Sequence, residues 1–162
     1  MDFNFKDKYG IDDLIKIMEI LRSENGCPWD REQDHKSIRQ NLIEETYEVI
    51  EAIDNDDTEL LKEELGDALL QVVFHSRIEE EKNSFDFSDV ADGICKKLII
   101  RHPHVFGNIT ADTPEEVLKN WDDIKMKTKS QTKASEAMDS VAKSLPALMR
   151  ADKIRSKAKK AG

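Results

Sequence analysis

The sequence predicts an all-α protein, a bundle of four to five helices organised around an antiparallel acidic helix pair. Three observations carry that expectation. Apolar residues recur at helical spacing through most of the 162 residues, and no run alternates convincingly as a half-buried strand does. Two neighbouring helical stretches, around Leu42 to Asp54 and Thr58 to Glu81, each carry carboxylates three residues apart. The turn between them is only about Asn55 to Asp57, and so short a connection sets consecutive helices antiparallel and adjacent.

Taken in order, Ile11 to Ser23 places Ile11, Leu14, Ile15, Met18 and Leu21 on one face. Asn25-Gly26-Cys27-Pro28 ends this helix, because glycine accepts a C-cap conformation and proline cannot continue a helix. Cys27-Pro28-Trp29-Asp30 then reads as a loop. Trp29 there is a base-stacking lid or a plug for the core, and spacing favours neither.

Ser37-Ile38-Arg39-Gln40 fits a capping box opening the first acidic helix. At 100° per residue, Ile38, Leu42, Val49 and Ile53 centre its apolar face, Glu45 falls inside that arc, and Glu48 sits on its edge. Glu44 and Glu51 lie towards water. The second acidic helix, Thr58 to Glu81, is about 36 Å long at 1.5 Å per residue. It is apolar over most of its circumference from Leu65 to Phe74, as expected of a central, buried element. Asn83-Ser84 breaks it.

A further helix from about Ser88 to Leu98 or Arg101 turns Val90, Ile94, Leu98 and Ile99 inward and sets Lys97 and Arg101 on one face. His102 to Gly107 reads as a turn, because Pro103 disfavours helix at His102; its two histidines lack a zinc-ligand partner at useful spacing. Thr113-Pro114-Glu115-Glu116 combines an N-cap threonine, proline at N1 and glutamate at N3. The helix it opens carries Trp121, with Lys125 one turn on. Lys127 to Glu136 is polar and weakly structured, and Pro146 to Lys160 fits a last amphipathic helix. The expected organisation is one domain over 1–130, then a polar linker and basic helix over 131–162.

Composition limits the function. Charged residues make up 36% of the chain and the net charge is −9. From Val141 onward seven Lys/Arg face one Asp, so the body before it is strongly acidic, which argues against a general nucleic-acid binder. Cys27 and Cys95 have no paired-ligand spacing and read as reduced thiols. No charged start leads into an apolar run, and no stretch approaches the ~18 apolar residues of a membrane span. A cytoplasmic protein without a membrane partner is expected.

The chemistry lies in the acidic pair. Glu45/Glu48 and Glu64/Asp67 each share a helix face. Along the second helix Glu64, Asp67, Gln71 and His75 form a polar stripe on an apolar element, which costs stability unless the groups are paired or ligate a metal. Four carboxylates supply hard oxygen ligands that suit Mg²⁺ or Mn²⁺. Lys97, Arg101 and Lys125 could hold phosphates, and Trp29 or Trp121 could stack on a base. Metal-assisted hydrolysis of a phosphoanhydride follows as the reaction class.

The motif Glu44-Glu45-x-x-Glu48 followed by Glu64-x-x-Asp67 resembles the acidic signature of the all-α nucleoside triphosphate pyrophosphohydrolases. Gly26-Cys27-Pro28-Trp29-Asp30, Leu42 to Glu48, Glu64 to His75 and Arg101-His102-Pro103-His104-Val105-Phe106-Gly107 narrow the resemblance to the MazG family, over about residues 11–160. That resemblance implies Mg²⁺-dependent hydrolysis of a nucleoside triphosphate to monophosphate and pyrophosphate, a homodimer, and a house-cleaning role against noncanonical or excess nucleotides. It implies Glu45, Glu48, Glu64 and Asp67 as metal ligands, and Lys97, Arg101, Trp121 and Lys125 as triphosphate and nucleotide contacts. Glu44 belongs to the motif as a ligand, a water-orienting group or a support for the ligands. Many members carry two such domains, and Lys160-Ala161-Gly162 resembles their inter-domain stretch. Two other readings compete. A di-iron carboxylate bundle wants Glu-x-x-His pairs, and neither acidic pair here ends in His; a non-enzymatic helical interaction module would carry a structural or inactive acidic site.

Overall fold

The computed structural model describes residues 3–128 and 134–161, without the side chains of 122, 123, 125–128, 134, 135, 137, 160 and 161. The expected all-α class holds, with no strand among the described residues. The chain forms two compact units, Met1–Ile94 and Cys95–Gly162.

In the first unit α1 (Ile11–Arg22) begins where the Gly10 N–H donates to the Asp13 carboxylate at 2.9 Å, and ends with the Ser23 hydroxyl on the Ile20 carbonyl at 2.8 Å. The chain then folds back tightly at Gly26. A Cβ there would lie 2.3 Å from the carbonyl oxygens of both Ile20 and Leu21. These are backbone atoms held by the Cys27 N–H on Leu21, so they cannot swing aside. Gly26→Ala is expected to destabilise the protein by about 2 kcal/mol, in the range of overpacking. Urea unfolding within 0.5 kcal/mol of wild type would show that this turn relaxes freely.

Cys27 to Asp30 is not a loop. It enters α2 (Pro28–Glu32), with Pro28 in the first turn and Cys27 extended at φ −76°, ψ 122°. The fixed φ of proline is pre-organised for N1, while it excludes helix from the residue before. Arg22 anchors this short helix by donating to the carbonyls of Asp30 and Gln33. Trp29 is 56% exposed, so it is not a core plug.

The capping box at Ser37 does not form. The helix α3 (Arg39–Asp54) starts after Ile38, which has no side-chain cap bond. Asp34 captures the local donors instead: its carboxylate accepts from the N–H groups of Lys36 and Ser37, both at 2.8 Å. The Ser37 hydroxyl donates back to the Asp34 carbonyl. An Asx turn built by aspartate outcompetes the hydroxyl cap.

The predicted tight turn is present, with Asp56 at φ 53°. Asp57 caps α4 (Thr58–Glu80) by accepting from the Leu60 N–H at 3.0 Å. The helices α3 and α4 pack along each other, and α1 packs on α4. The core joins Met18 of α1, Ile38, and Val73, Phe74 and Ile78 of α4, flanked by Leu14, Ile15, Leu70 and Phe87. Burial is narrower than the helical projection predicts. Ile38 and Ala52 are buried, but Leu42 and Ile53 are exposed. The helix α4 is not buried all round either, since Leu65, Leu69 and Val72 reach solvent. The physical reason is coverage: only α1 and part of α5 flank the pair within this unit, leaving one apolar side open.

The helix α5 (Phe87–Arg101) runs from the first unit into the second. The expected turn at His102 contains a helical turn, α6 (Pro103–Phe106), again with proline in its first turn. The predicted start of α7 (Pro114–Thr128) is realised: the Glu116 N–H donates to Thr113 Oγ1 at 3.3 Å, and the Glu116 carboxylate accepts from the Asp112 N–H at 2.9 Å. The polar stretch 127–136 is helical at both described ends, with α8 (Ala134–Asp139) beginning inside it; 129–133 lie outside the described residues. The last helix, α9 (Ala147–Ala161), packs on α8. Among the described residues no helix is long and apolar enough to cross a membrane.

Candidate active site

The antiparallel pairing of α3 and α4 brings Glu45, Glu48 and Glu64 together, with one carboxylate oxygen from each within 4.8 Å of the others. Glu64 is buried, Glu45 half-buried and Glu48 exposed, so the cluster opens on one side. Asp67, one turn along α4, adds its charge to both Glu45 and Glu64. Burial raises the Glu45 carboxyl above its ordinary value, and repulsion from Asp67, Glu48 and Glu64 adds to it. Burial likewise raises Glu64, with repulsion from Glu48, Asp67 and Glu63.

This is the signature of a site short of positive charge. The donor set is all carboxylate oxygen at distances one hard cation can span, which fits Mg²⁺ or Mn²⁺ and offers no thiolate or imidazole for zinc. The raised carboxyls also make a stability prediction. A carboxyl raised on folding binds more protons in the native state, so metal-free stability falls as pH rises from the unfolded value, near 4.5, through the raised value. Added Mg²⁺ is expected to flatten that decline. Melting curves from pH 5 to 8, with Mg²⁺ and with chelator, check it; identical slopes would count against a cation site here.

The other expected residues are distributed as follows. Glu44 is exposed, 3.4 Å from the Gln40 amide nitrogen, and outside the three-carboxylate cluster. Lys97, Arg101 and Trp121 belong to the second unit. There the Arg101 guanidinium lies 5.2 Å from the centre of the Trp121 ring, and His102 meets that ring edge-on at 4.9 Å. Arg101 and Trp121, read from spacing as separate phosphate and base contacts, are thus one stacked pair. The side chain of Lys125 lies outside the described residues.

The structure also shows groups that spacing did not connect. Gln71 is 6% exposed, and its Oε1 has no hydrogen-bond partner among the described residues. His75, next on the stripe, meets His35 with Nδ1 to Nδ1 at 2.7 Å, and His35 Nε2 reaches Glu79 at 2.5 Å. His35 and His75 are forty residues apart, and no local pattern announces their meeting.

An antiparallel helix pair with clustered carboxylates defines a class: all-α domains able to hold divalent cations between two helices. Residues 33–106 match the family described as the MazG nucleotide pyrophosphohydrolase domain. The chain is 46% identical over 153 residues to the nucleoside triphosphate pyrophosphohydrolase of Escherichia coli K12, covering 94% of this chain and 58% of the relative. It is 47% identical over 151 residues to the nucleoside triphosphate pyrophosphohydrolase/pyrophosphatase MazG of Thermotoga maritima, covering 93% of this chain and 57% of that one. A crystal structure of a mazG-related protein from Thermotoga maritima superposes with a TM-score of 0.60 at 27% identity, over 71% of this chain and 98% of that one. The chain spans a little over half the length of these two curated relatives.

Proposed function

We propose that this chain hydrolyses nucleoside triphosphates to the monophosphate and pyrophosphate, with Mg²⁺ at the α3–α4 carboxylates. The observation that carries the reading is the Glu45–Glu48–Glu64 cluster, set inside a MazG domain with Asp67 beside it. In this reading Glu45, Glu48, Glu64 and Asp67 hold the cation. Bound there, Mg²⁺ would neutralise phosphate oxygens and supply Lewis acidity at the cleaved anhydride. Lys97, Arg101 and Lys125 bind the phosphates; Trp121, stacked with Arg101, or the exposed Trp29 contacts the base. Glu44 stands beside the ligands in sequence and, in this reading, orients water or supports them. Residues 1–130 form the catalytic domain and 131–162 a linker and basic helix. A house-cleaning role in the cytoplasm, where thiols stay reduced, completes the proposal.

A homodimer belongs to it as well. Ile43, Tyr47, Ile50 and Ile53 of α3 and Leu65 and Leu69 of α4 are all at least 40% exposed, apolar side chains that a partner copy would remove from water. Light scattering at micromolar concentration should give twice the chain mass; a monomer mass removes this part.

Product analysis with Mg²⁺ and a panel of nucleoside triphosphates tests the activity. Monophosphate and pyrophosphate are expected. Diphosphate and phosphate would move cleavage to the terminal phosphate and overturn the reading. Absence of any product would favour a non-enzymatic interaction module with an inactive acidic site.

A further inference from the structure

The histidines His35 and His75 sit where two parts of the first unit must be held together. His35 lies in the Asx turn 34–38 that delivers Ile38 into the core and starts α3; His75 and Glu79 are one turn apart on α4. The imidazole rings stack with centres 5.0 Å apart and an interplanar angle of 14°. Their Nδ1 atoms are 2.7 Å apart, and His35 Nε2 contacts Glu79 Oε1 at 2.5 Å. Two ring nitrogens at that distance need one hydrogen between them, no more and no fewer.

We infer that His35 and His75 are positioning residues, a proton-bridged latch that fixes the start of α3 against α4 and releases when both rings are charged. With one ring protonated, or neither, a single N–H can bridge the two Nδ1 atoms while His35 Nε2–H donates to Glu79. With both rings protonated, two N–H groups face each other, the bond is lost and like charges repel.

The surroundings oppose a charge on His75. Around His35 stand Asp34, Lys36 and Glu79, the last also held by Lys82 at 2.7 Å. The bond from Lys82, then that from His35, holds the Glu79 carboxyl down to about 2, so it stays anionic at any working pH. His75 is the drier ring: burial, then the charge of His35, lowers it below its ordinary value. From α1, Arg22 reaches α4 through Glu81 and the Phe74 ring.

The sign follows. A histidine lowered on folding contributes stability that is complete above its unfolded value, near 6.5, and is lost as pH falls through the lowered value. Glu45 is seven residues beyond Ile38, roughly 10 Å along α3. The latch therefore sets the helix register that gathers the carboxylates. This consequence for the metal site rests on the proposed function; the latch itself does not.

The experiment uses the whole metal-free chain, wild type and His75→Gln, which keeps an acceptor for His35 but cannot be charged. Imidazole nitrogen NMR across pH 5–8 should show His35 and His75 titrating as a coupled pair, with a second step below pH 6.5. Between pH 7.5 and 5.5 the melting temperature of wild type should fall relative to that of His75→Gln, so that the difference between the two proteins moves in the variant's favour as pH drops. The raised carboxyls and the other histidines are common to both proteins and cancel in the difference. Should His75→Gln not fold, His35→Gln serves the same comparison. The Mg²⁺ concentration for half-maximal turnover should then rise several-fold more between pH 7.5 and 6 in wild type than in the variant, with kcat at saturating Mg²⁺ less affected. Independent titrations with equal melting losses would overturn the latch while leaving the hydrolase reading intact. Coupled titration with no turnover at any pH would overturn the hydrolase reading and keep the latch.

Discussion

Glu64→Gln is expected to abolish Mg²⁺-dependent turnover while leaving the metal-free protein more stable than wild type at pH 8. Glu64 is the buried member of the cluster, 9% exposed, and its charge is opposed by burial and by Glu48, Asp67 and Glu63. Replacing the carboxylate with an amide of equal size removes both the desolvation and the repulsion, so stability rises where the wild-type group is ionised. The same change removes an anionic oxygen that no neighbour can replace, and the loss in turnover should be at least about 100-fold, the scale of removing one electrostatic partner from an active site. The two effects have opposite signs, which separates them from simple unfolding. Steady-state rates and melting curves on one preparation decide it. Turnover within a few-fold of wild type would remove Glu64 from the site, and a lower melting temperature at pH 8 would contradict the electrostatic account.

Arg22→Ala should produce the largest loss of stability outside the core. The Arg22 side chain is 6% exposed. It donates to the carbonyls of Asp30 and Gln33, forks onto the Glu81 carboxylate at 2.8 and 2.9 Å, and lies over the Phe74 ring at 5.3 Å. It thereby ties α1, α2 and the end of α4 together. Its bonds hold the Glu81 carboxyl below the ordinary range. Truncation leaves two carbonyls and a half-buried carboxylate with fewer partners, and Arg77, 3.1 Å from Glu81, compensates in part. The expected cost is about 2 kcal/mol, the scale of leaving part-buried carbonyls unsatisfied, or roughly 4–8 °C in melting temperature for a chain of this size. Because the Glu81 carboxyl is lowered on folding, the difference from wild type should shrink as pH falls from its ordinary 4.5 towards the lowered value. A drop under 2 °C at pH 7, or a gap that widens in acid, would show that α2 is held by other contacts.

Helix type, order and the acidic pair were legible in the sequence because each rests on local periodicity. The Thr113–Glu116 start of α7 needed only four residues, and the Asn55–Asp57 turn only three. Periodicity also put Glu45 on the inner arc of α3, where it is half-buried. The failures are equally local. Asp34 engaged the Ser37 hydroxyl that would have capped α3, and Pro28 and Pro103 opened helical turns in place of loops.

Helical spacing by itself thus determined an all-α chain with carboxylates facing one another across a short turn. The tertiary structure alone decided which of them meet: Glu45, Glu48 and Glu64 within 4.8 Å, with Glu44 left outside. It alone joined His35 to His75 and Arg22 to Glu81, because contacts between residues forty and fifty-nine positions apart depend on how helices pack. The side of α3 and α4 that remains open follows from the same cause, since periodicity marks an apolar face but only packing determines how much of it is covered.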